Sequence, residues 1–295
     1  MRKCVPETIE QEQKLFSYRH GFHAGNHADV LKHVVLVQML SYLTAKDTPL
    51  WFVDTHAGAG VYSIDSAFAQ KKGEFKNGIG RLWGQSGLPP ALTEYLQQVR
   101  KLNPDDVLRH YPGSPQIAHQ MLREQDRLQL FELHSTESEV LQKQYANLKR
   151  RISVQPTEGF AGLKAVLPPA SRRGLVLIDP SYEDKADYKT VVTSMQDALQ
   201  RFATGVYAVW YPQVQRQESK ELPGQLQKLA GKSWLHATLK VMAPARDGLG
   251  LHGSGVFVFN PPWKLEAALS AVMPTLVRLL GQDRSASYSL RAHQT

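Results

Sequence analysis

Apolar and polar positions along the chain follow two alternating rhythms. Short runs rich in Val, Ile, Phe, Tyr and Trp, bounded by Gly, Pro or Asp, predict strands at Leu50–Asp54, Leu128–Glu132, Ile152–Gln155, Gly174–Ile178, Val206–Tyr211, Leu235–Met242 and Gly255–Phe259. Longer stretches with helical spacing lie between them, near 28–46, 90–102, 115–124, 137–150, 184–202, 215–231 and 264–280. LVLI at 175–178 and YAVWY at 207–211 are apolar on both strand faces, the pattern of central strands covered by helices on both sides. The alternation predicts an α/β fold with a doubly wound, mostly parallel sheet of seven strands. Ahead of the first helix, Asn26 is placed to cap it, with Asp29 three residues on in a box-like position near the positive end of the dipole.

One spacing breaks the rhythm. Between Asp54 and Leu128 lie roughly seventy residues, where a single crossover needs far fewer. This gap carries GEFKNGIGRLW and GLPPALTEYL, so residues 61–110 read as an inserted small helical subdomain within a main domain of 15–60 and 111–281. Residues 1–14 and 282–295 are polar and read as an N-terminal extension and a tail.

Composition narrows the possibilities. In 295 residues, 42% hydrophobic and 21% charged positions describe a globular chain, not a disordered one. Lys and Arg total 35 against 27 Asp and Glu, a net +8 with a pI near 9.4, which points to a polyanionic partner. A lone Cys4 excludes an internal disulfide and a cysteine zinc cage. No apolar run is long enough to span a membrane, and MRKCVPETIEQEQK lacks a signal-peptide core, so a cytoplasmic location is expected.

Four segments carry candidate chemistry. WFVDTHAGAG, 51–60, is a strand running into a turn with Gly58 and Gly60, where backbone can approach a nucleotide-like ligand; Ser63 at the third position breaks the dinucleotide fingerprint. RLQLFELH, 127–134, ends a strand in Glu132, and a carboxylate there can accept both hydroxyls of a ribose, although strand-terminal Glu is more often a solvated surface residue. GLVLIDPSYE, 174–183, ends an apolar strand in Asp179, Pro180, Ser181 and Tyr182. A carboxylate and the Pro180 carbonyl can together accept the two N–H groups of an exocyclic amine, and Tyr182 can stack on an extruded base. YRHGFHAGNHADVLKH, 18–33, gathers four histidines with Tyr18, Arg19 and Lys32, a set suited to phosphate contact and base stacking. His23 and His27 would share a helical face, but Gly21 and Gly25 interrupt the helix, and no metal site is expected. GVFVFNPPWK, 255–264, repeats the Asp-Pro type of pattern at Asn260, yet chain order puts it away from the switch point, as a structural turn.

Together, SYRHGFHAGNHADVLKH, DTHAGAG, YPGSPQIA, REQDRLQLFELH, SRRGLVLIDPSYE, RFATGVYAVWYP and NPPWKLE resemble the RlmJ family of class I methyltransferases over roughly residues 15–280. The resemblance implies a Rossmann-like fold, S-adenosylmethionine as cofactor (S-adenosylhomocysteine as product), and methylation of the N6 amine of an adenine in 23S ribosomal RNA, naked or early pre-ribosomal, by a monomer. It implies that His33 and His56 line the cofactor pocket, that Ser114 lies near the methionine end, and that Glu132 holds the ribose. Glu158 and Gly159 would lie by the cofactor's adenine, and Asp179 would be the catalytic carboxylate. Tyr18 and His20 would contact the RNA, and Lys32 would shape the site. Three features depart from the family pattern: Ser181 where Pro is usual, Glu158 where Asp is usual, and about fourteen extra residues at the start. Two other readings stand beside this one. One is a nucleic-acid-binding methyltransferase-like module whose transfer is impaired through Ser181. The other is an adenine-N6 or amide methyltransferase acting on DNA or protein.

Overall fold

The computed structural model describes residues 21, 23–65, 73–248 and 250–294. In chain order its first half contains α1 (His27–Thr44), β1 (Trp51–Asp54), β2 (Val61–Ser63), α2 (Ile79–Leu82), α3 (Pro90–Arg100), β3 (His110–Pro112), α4 (Ser114–Met121), β4 (Arg127–Phe131), α5 (Ser135–Gln144) and β5 (Ile152–Gln155). There follow α6 (Gly159–Val166), β6 (Gly174–Ile178), α7 (Ala186–Arg201), β7 (Val206–Gln213), α8 (Gln217–Ala230), β8 (Ser233–Lys240), β9 (Gly253–Phe259), α9 (Leu265–Leu280) and β10 (Ser287–Gln294).

The main sheet runs β10-β8-β9-β7-β6-β1-β4-β5. The five strands from β7 to β5 are parallel, and β9, β8 and β10 add on antiparallel. Successive side chains of a strand point to opposite faces. Phe52, Leu128, Leu130, Leu175, Leu177 and Ala208 therefore pack into the core beneath α1, α4 and α9. Val53, Phe131, Val176, Ile178, Tyr207 and Val209 pack into a second core beneath α6, α7 and α8. Both faces of the central strands are dry, as their uninterrupted apolar runs require.

The sheet has eight strands, not the expected seven. The eighth, β10, lies in the polar stretch read as a tail, and pairs with β8 from Ser287↔Lys240 to Gln294↔Ser233. It is an edge strand with one covered side: Leu290 and Ala292 pack on the core while Tyr288 is exposed. Half-covered edges carry polar residues, so the sequence lacks the apolar run that marks a central strand.

From 61 to 112, β2 and β3 pair antiparallel at the base of a unit containing a 3-10 turn at Glu74–Asn77, α2 and α3. That unit docks on the start of α1. The Ile79 amide donates to the Gly25 carbonyl at 2.8 Å, and a Cβ on Gly78 would lie 2.0 Å from the same oxygen, so the approach needs glycine.

Candidate active site

Parallel strands bring their carboxyl ends to one edge, and the order reverses about β1, whose neighbours are β4 and β6. A crevice opens where chain connections leave such a switch point in opposite directions. Here it is a cleft of about 650 Å³, within the range of small-ligand sites.

Helix α1 supplies one wall. The Asn26 side chain accepts from the amides of Ala28 and Asp29, as expected, and Asp29 Oδ2 accepts from the Gly25 amide. Every residue from Ala24 to Val37 is buried, including Asp29, Lys32 and His33. Buried charges need partners. Lys32 Nζ lies 2.7 Å from Asp179 Oδ2 and 3.0 Å from Asp29 Oδ1. Burial pushes the Lys32 ammonium down, but the two carboxylates outweigh it and raise its pKa, so it stays protonated. The Asp179 side chain is 8% exposed. Its Oδ1 is buried and has no hydrogen-bond partner among the described residues. Pro180 follows in the same wall.

Asp54, at the end of β1, is fully buried and accepts from Ser114 Oγ at 2.6 Å. Burial and the nearby Asp179 charge push its carboxyl up to about 7, against the Ser114 and His56 hydrogen bonds and Lys32. His56 is held below the usual histidine range by burial, against the pull of Asp179 and Glu158, so its ring is neutral. Its Nδ1 meets Thr55 Oγ1 at 2.8 Å, and its ring stands edge-on to Phe160. His33 Nδ1 meets the Tyr111 hydroxyl at 2.8 Å, tying α1 to β3.

The opposite side is built from backbone. Glu132 Oε2 accepts from the Gly58 amide and Oε1 from the His134 amide, each at 2.7 Å. Burial raises the Glu132 pKa, and these two amides oppose the rise. Gly58 sits at φ +62, and a Cβ there would lie 2.2 Å from the Tyr62 hydroxyl oxygen. A Cβ on Gly159 would lie 1.9 Å from the Thr55 carbonyl oxygen. Glu158 caps α6, its two oxygens accepting from the Phe160 and Ala161 amides at 2.8 Å.

The structure thus gathers Lys32, His33, His56, Gly58, Ser114, Glu132, Glu158, Gly159, Asp179, Pro180 and Tyr182 around one cleft. Gly60 lies behind it, where its carbonyl accepts from the Gly113 amide. Tyr18 and His20 lie outside the described residues. Tyr182 lines the cleft but is 3% exposed. Its hydroxyl donates to the Trp210 carbonyl at 2.7 Å and its ring packs on Tyr188, 4.6 Å between centroids. Its φ of +54 is unusual for a bulky residue, and Arg216, donating to the Tyr182 and Glu183 carbonyls, holds the turn. Asn260 is a turn residue. Because β9 opposes β7, with Phe259 beside Tyr207, Asn260 lies at the amino edge of the parallel strands and donates to the carbonyls of Ala203 and Gly205.

Asp29, Asp54, Trp210 and Arg216 also line or support the cleft without having been singled out as site residues. Asp54 had a signal, an acid ending the apolar run WFV. Trp210 and Arg216 arrive from β7 and the segment after it, and no local pattern marks them.

Comparison with known proteins gives concordant results. A family profile described as Ribosomal RNA large subunit methyltransferase D, RlmJ, matches residues 47–291. The chain is 48% identical over 262 residues to Ribosomal RNA large subunit methyltransferase J of Escherichia coli (strain K12), covering 89% of this chain and 93% of that protein. It is 44% identical over 277 residues to the protein of the same name from Haemophilus influenzae (strain ATCC 51907 / DSM 11121 / KW20 / Rd), covering 94% and 98%. Its fold is similar to a crystal structure of a Legionella pneumophila str. Philadelphia 1 protein, with a TM-score of 0.85 and 36% identity over 92% of this chain and 98% of that one.

Proposed function

The chain belongs to the RlmJ family of ribosomal RNA large subunit methyltransferases, and from that premise we propose that it transfers a methyl group from S-adenosylmethionine to the N6 amine of an adenine in 23S ribosomal RNA. The observation that carries the reading is Asp179: one carboxylate oxygen is fixed by Lys32, and the other is buried in the cleft wall with no partner among the described residues.

The residues present fit the cofactor. Each Glu132 oxygen spends one lone pair on a backbone amide and keeps another for a ribose hydroxyl. Gly58 and Gly159 keep the adjoining walls thin. Glu158, engaged as a helix cap, flanks the adenine by fixing the start of α6. His33, His56 and Ser114 line the remaining wall. When bound, S-adenosylmethionine supplies an electrophilic methyl carbon.

The adenine amine is a poor nucleophile because its lone pair is delocalised into the ring. Asp179 Oδ1 and the Pro180 carbonyl accept its two N–H hydrogens, which favours a pyramidal nitrogen with its lone pair free to attack. No strong base is needed beforehand, since the N–H proton becomes acidic only as nitrogen is alkylated; Asp179 then holds it. Lys32 balances the Asp179 charge, and positioning supplies most of the acceleration. Tyr18 and His20 contact the RNA from the N-terminal segment. The protein acts as a cytoplasmic monomer on naked or early pre-ribosomal 23S RNA.

The test is methyl transfer from labelled cofactor to deproteinised 23S RNA lacking the modification, followed by nucleoside separation. Label in N6-methyladenosine, lost in Asp179→Ala while RNA binding is retained, is the expected result. Absence of label from the wild-type protein with cofactor demonstrably bound overturns the reading.

A further inference from the structure

Among the buried polar atoms on residues lining the cleft, two on neighbours of Lys32 have complementary character. Asp179 Oδ1 is an acceptor without a partner among the described residues, and the indole Nε1–H of Trp210 is a donor without one. Buried indole N–H groups ordinarily find an acceptor, and a buried donor left alone costs free energy. Both residues share Lys32 as a neighbour: its Nζ lies 2.7 Å from Asp179 Oδ2 and 5.9 Å from the centre of the Trp210 ring. The Trp210 backbone is fixed as well, since its carbonyl receives the Tyr182 hydroxyl and the two rings lie 6.1 Å apart.

We propose that Trp210 is a specificity-determining residue whose indole N–H donates to a ring nitrogen of the target adenine while Asp179 Oδ1 accepts from its N6 amine. This rests on the adenine-N6 reading above. Adenine presents, side by side, an amine donor at N6 and a ring-nitrogen acceptor at N7 or N1. An acceptor and a donor on two residues that line the cleft and share Lys32 as a neighbour match the chemistry of that edge. Guanine places the O6 acceptor where adenine has its amine, so it would set oxygen against the Asp179 carboxylate. Apolar packing gives no reason for an indole here, because a phenylalanine fills most of the same volume without an N–H to satisfy.

The experiment is an atom-by-residue cycle. The methylated adenine is first mapped, then replaced by 7-deazaadenine or 1-deazaadenine in 23S RNA assembled by ligation, and kcat/KM is measured for wild type and Trp210→Phe. The variant keeps an aromatic ring and the backbone carbonyl that holds Tyr182, and its melting temperature and cofactor affinity are checked alongside. In the wild type, one of the two deaza substitutions is expected to lower kcat/KM about tenfold, the worth of one buried hydrogen bond. With normal adenine, Trp210→Phe loses a similar factor, and it is indifferent to that same deaza substitution. Penalties that multiply, or a wild type insensitive to both substitutions, overturn the assignment while leaving the N6 reading intact. Failure of the wild type to form N6-methyladenosine on the unsubstituted RNA overturns both.

Discussion

At the ends of β4 and β5, and at the Gly58 turn that follows β1, the cleft is made from main chain: glycines thin its walls, and Glu132 and Glu158 are held by four backbone amides. At the ends of β6 and β7 it is made from side chains: Asp179 is held by Lys32, Lys32 by Asp29, and Tyr182 by hydrogen bonds to Trp210 and from Arg216. The first half offers a rigid surface with acceptors. The second is a charged and aromatic assembly whose parts depend on one another. A fixed cofactor suits the former, and a reacting base that must be oriented suits the latter. Backbone-built sites should fail by closing, and side-chain-built sites by losing charge balance or orientation.

The comparison can be broken in descending order of effect. Asp179→Asn should lower kcat about a thousandfold while cofactor affinity, read by calorimetry, changes little, the scale of losing a group that acts in the transition state. Gly159→Ala places a Cβ against the Thr55 carbonyl and should weaken cofactor binding by roughly a hundredfold, with RNA retention on filters unchanged. Lys32→Met leaves two buried carboxylates facing each other and should cost about 3 kcal/mol of stability by denaturant unfolding, whereas Glu132→Gln, whose NH2 cannot accept from one of the two backbone amides, should cost about 1–2 kcal/mol.

The pH dependence tests the comparison from a different side. The Asp54 carboxyl is raised from 3.8 to about 7 in the folded protein, so between those values the native state binds more protons than the unfolded one. Stability should fall as pH rises from about 4 to 7, the sign for an acid whose pKa is raised. Asp54→Asn should flatten that decline in melting temperature, and an unchanged slope would remove Asp54 as its source.

Much of this division was legible in the sequence, for reasons that differ between the halves. LVLI followed by Asp179-Pro180 marks a buried strand ending in an acid, and Gly58 marks a turn, because each signal is local. Asn26 is legible as a cap for the same reason. The resemblance places Glu158 by the cofactor's adenine, and the residue does line the cleft; that its carboxylate also caps α6 was not legible, because Glu is not a favoured capping residue. Asp29 sits in an apolar run where dipole placement explained it fully, and only folding reveals that it also braces Lys32. Trp210 and Arg216 reach the site from a strand far along the chain and from the segment after it, and β10 was hidden because an edge covered on one side looks like tail.

The antiparallel run of β9 has a consequence for how such chains diversify. Four letters, Asn-Pro-Pro-Trp, sit at the far rim with Asn260 stitched to the carbonyls of Ala203 and Gly205, while Asp-Pro-Ser-Tyr faces the cleft. Strand polarity acts as an address. A copy of the motif on β9 is held away from the cleft however closely its letters match, because the strand delivers its end to the opposite rim.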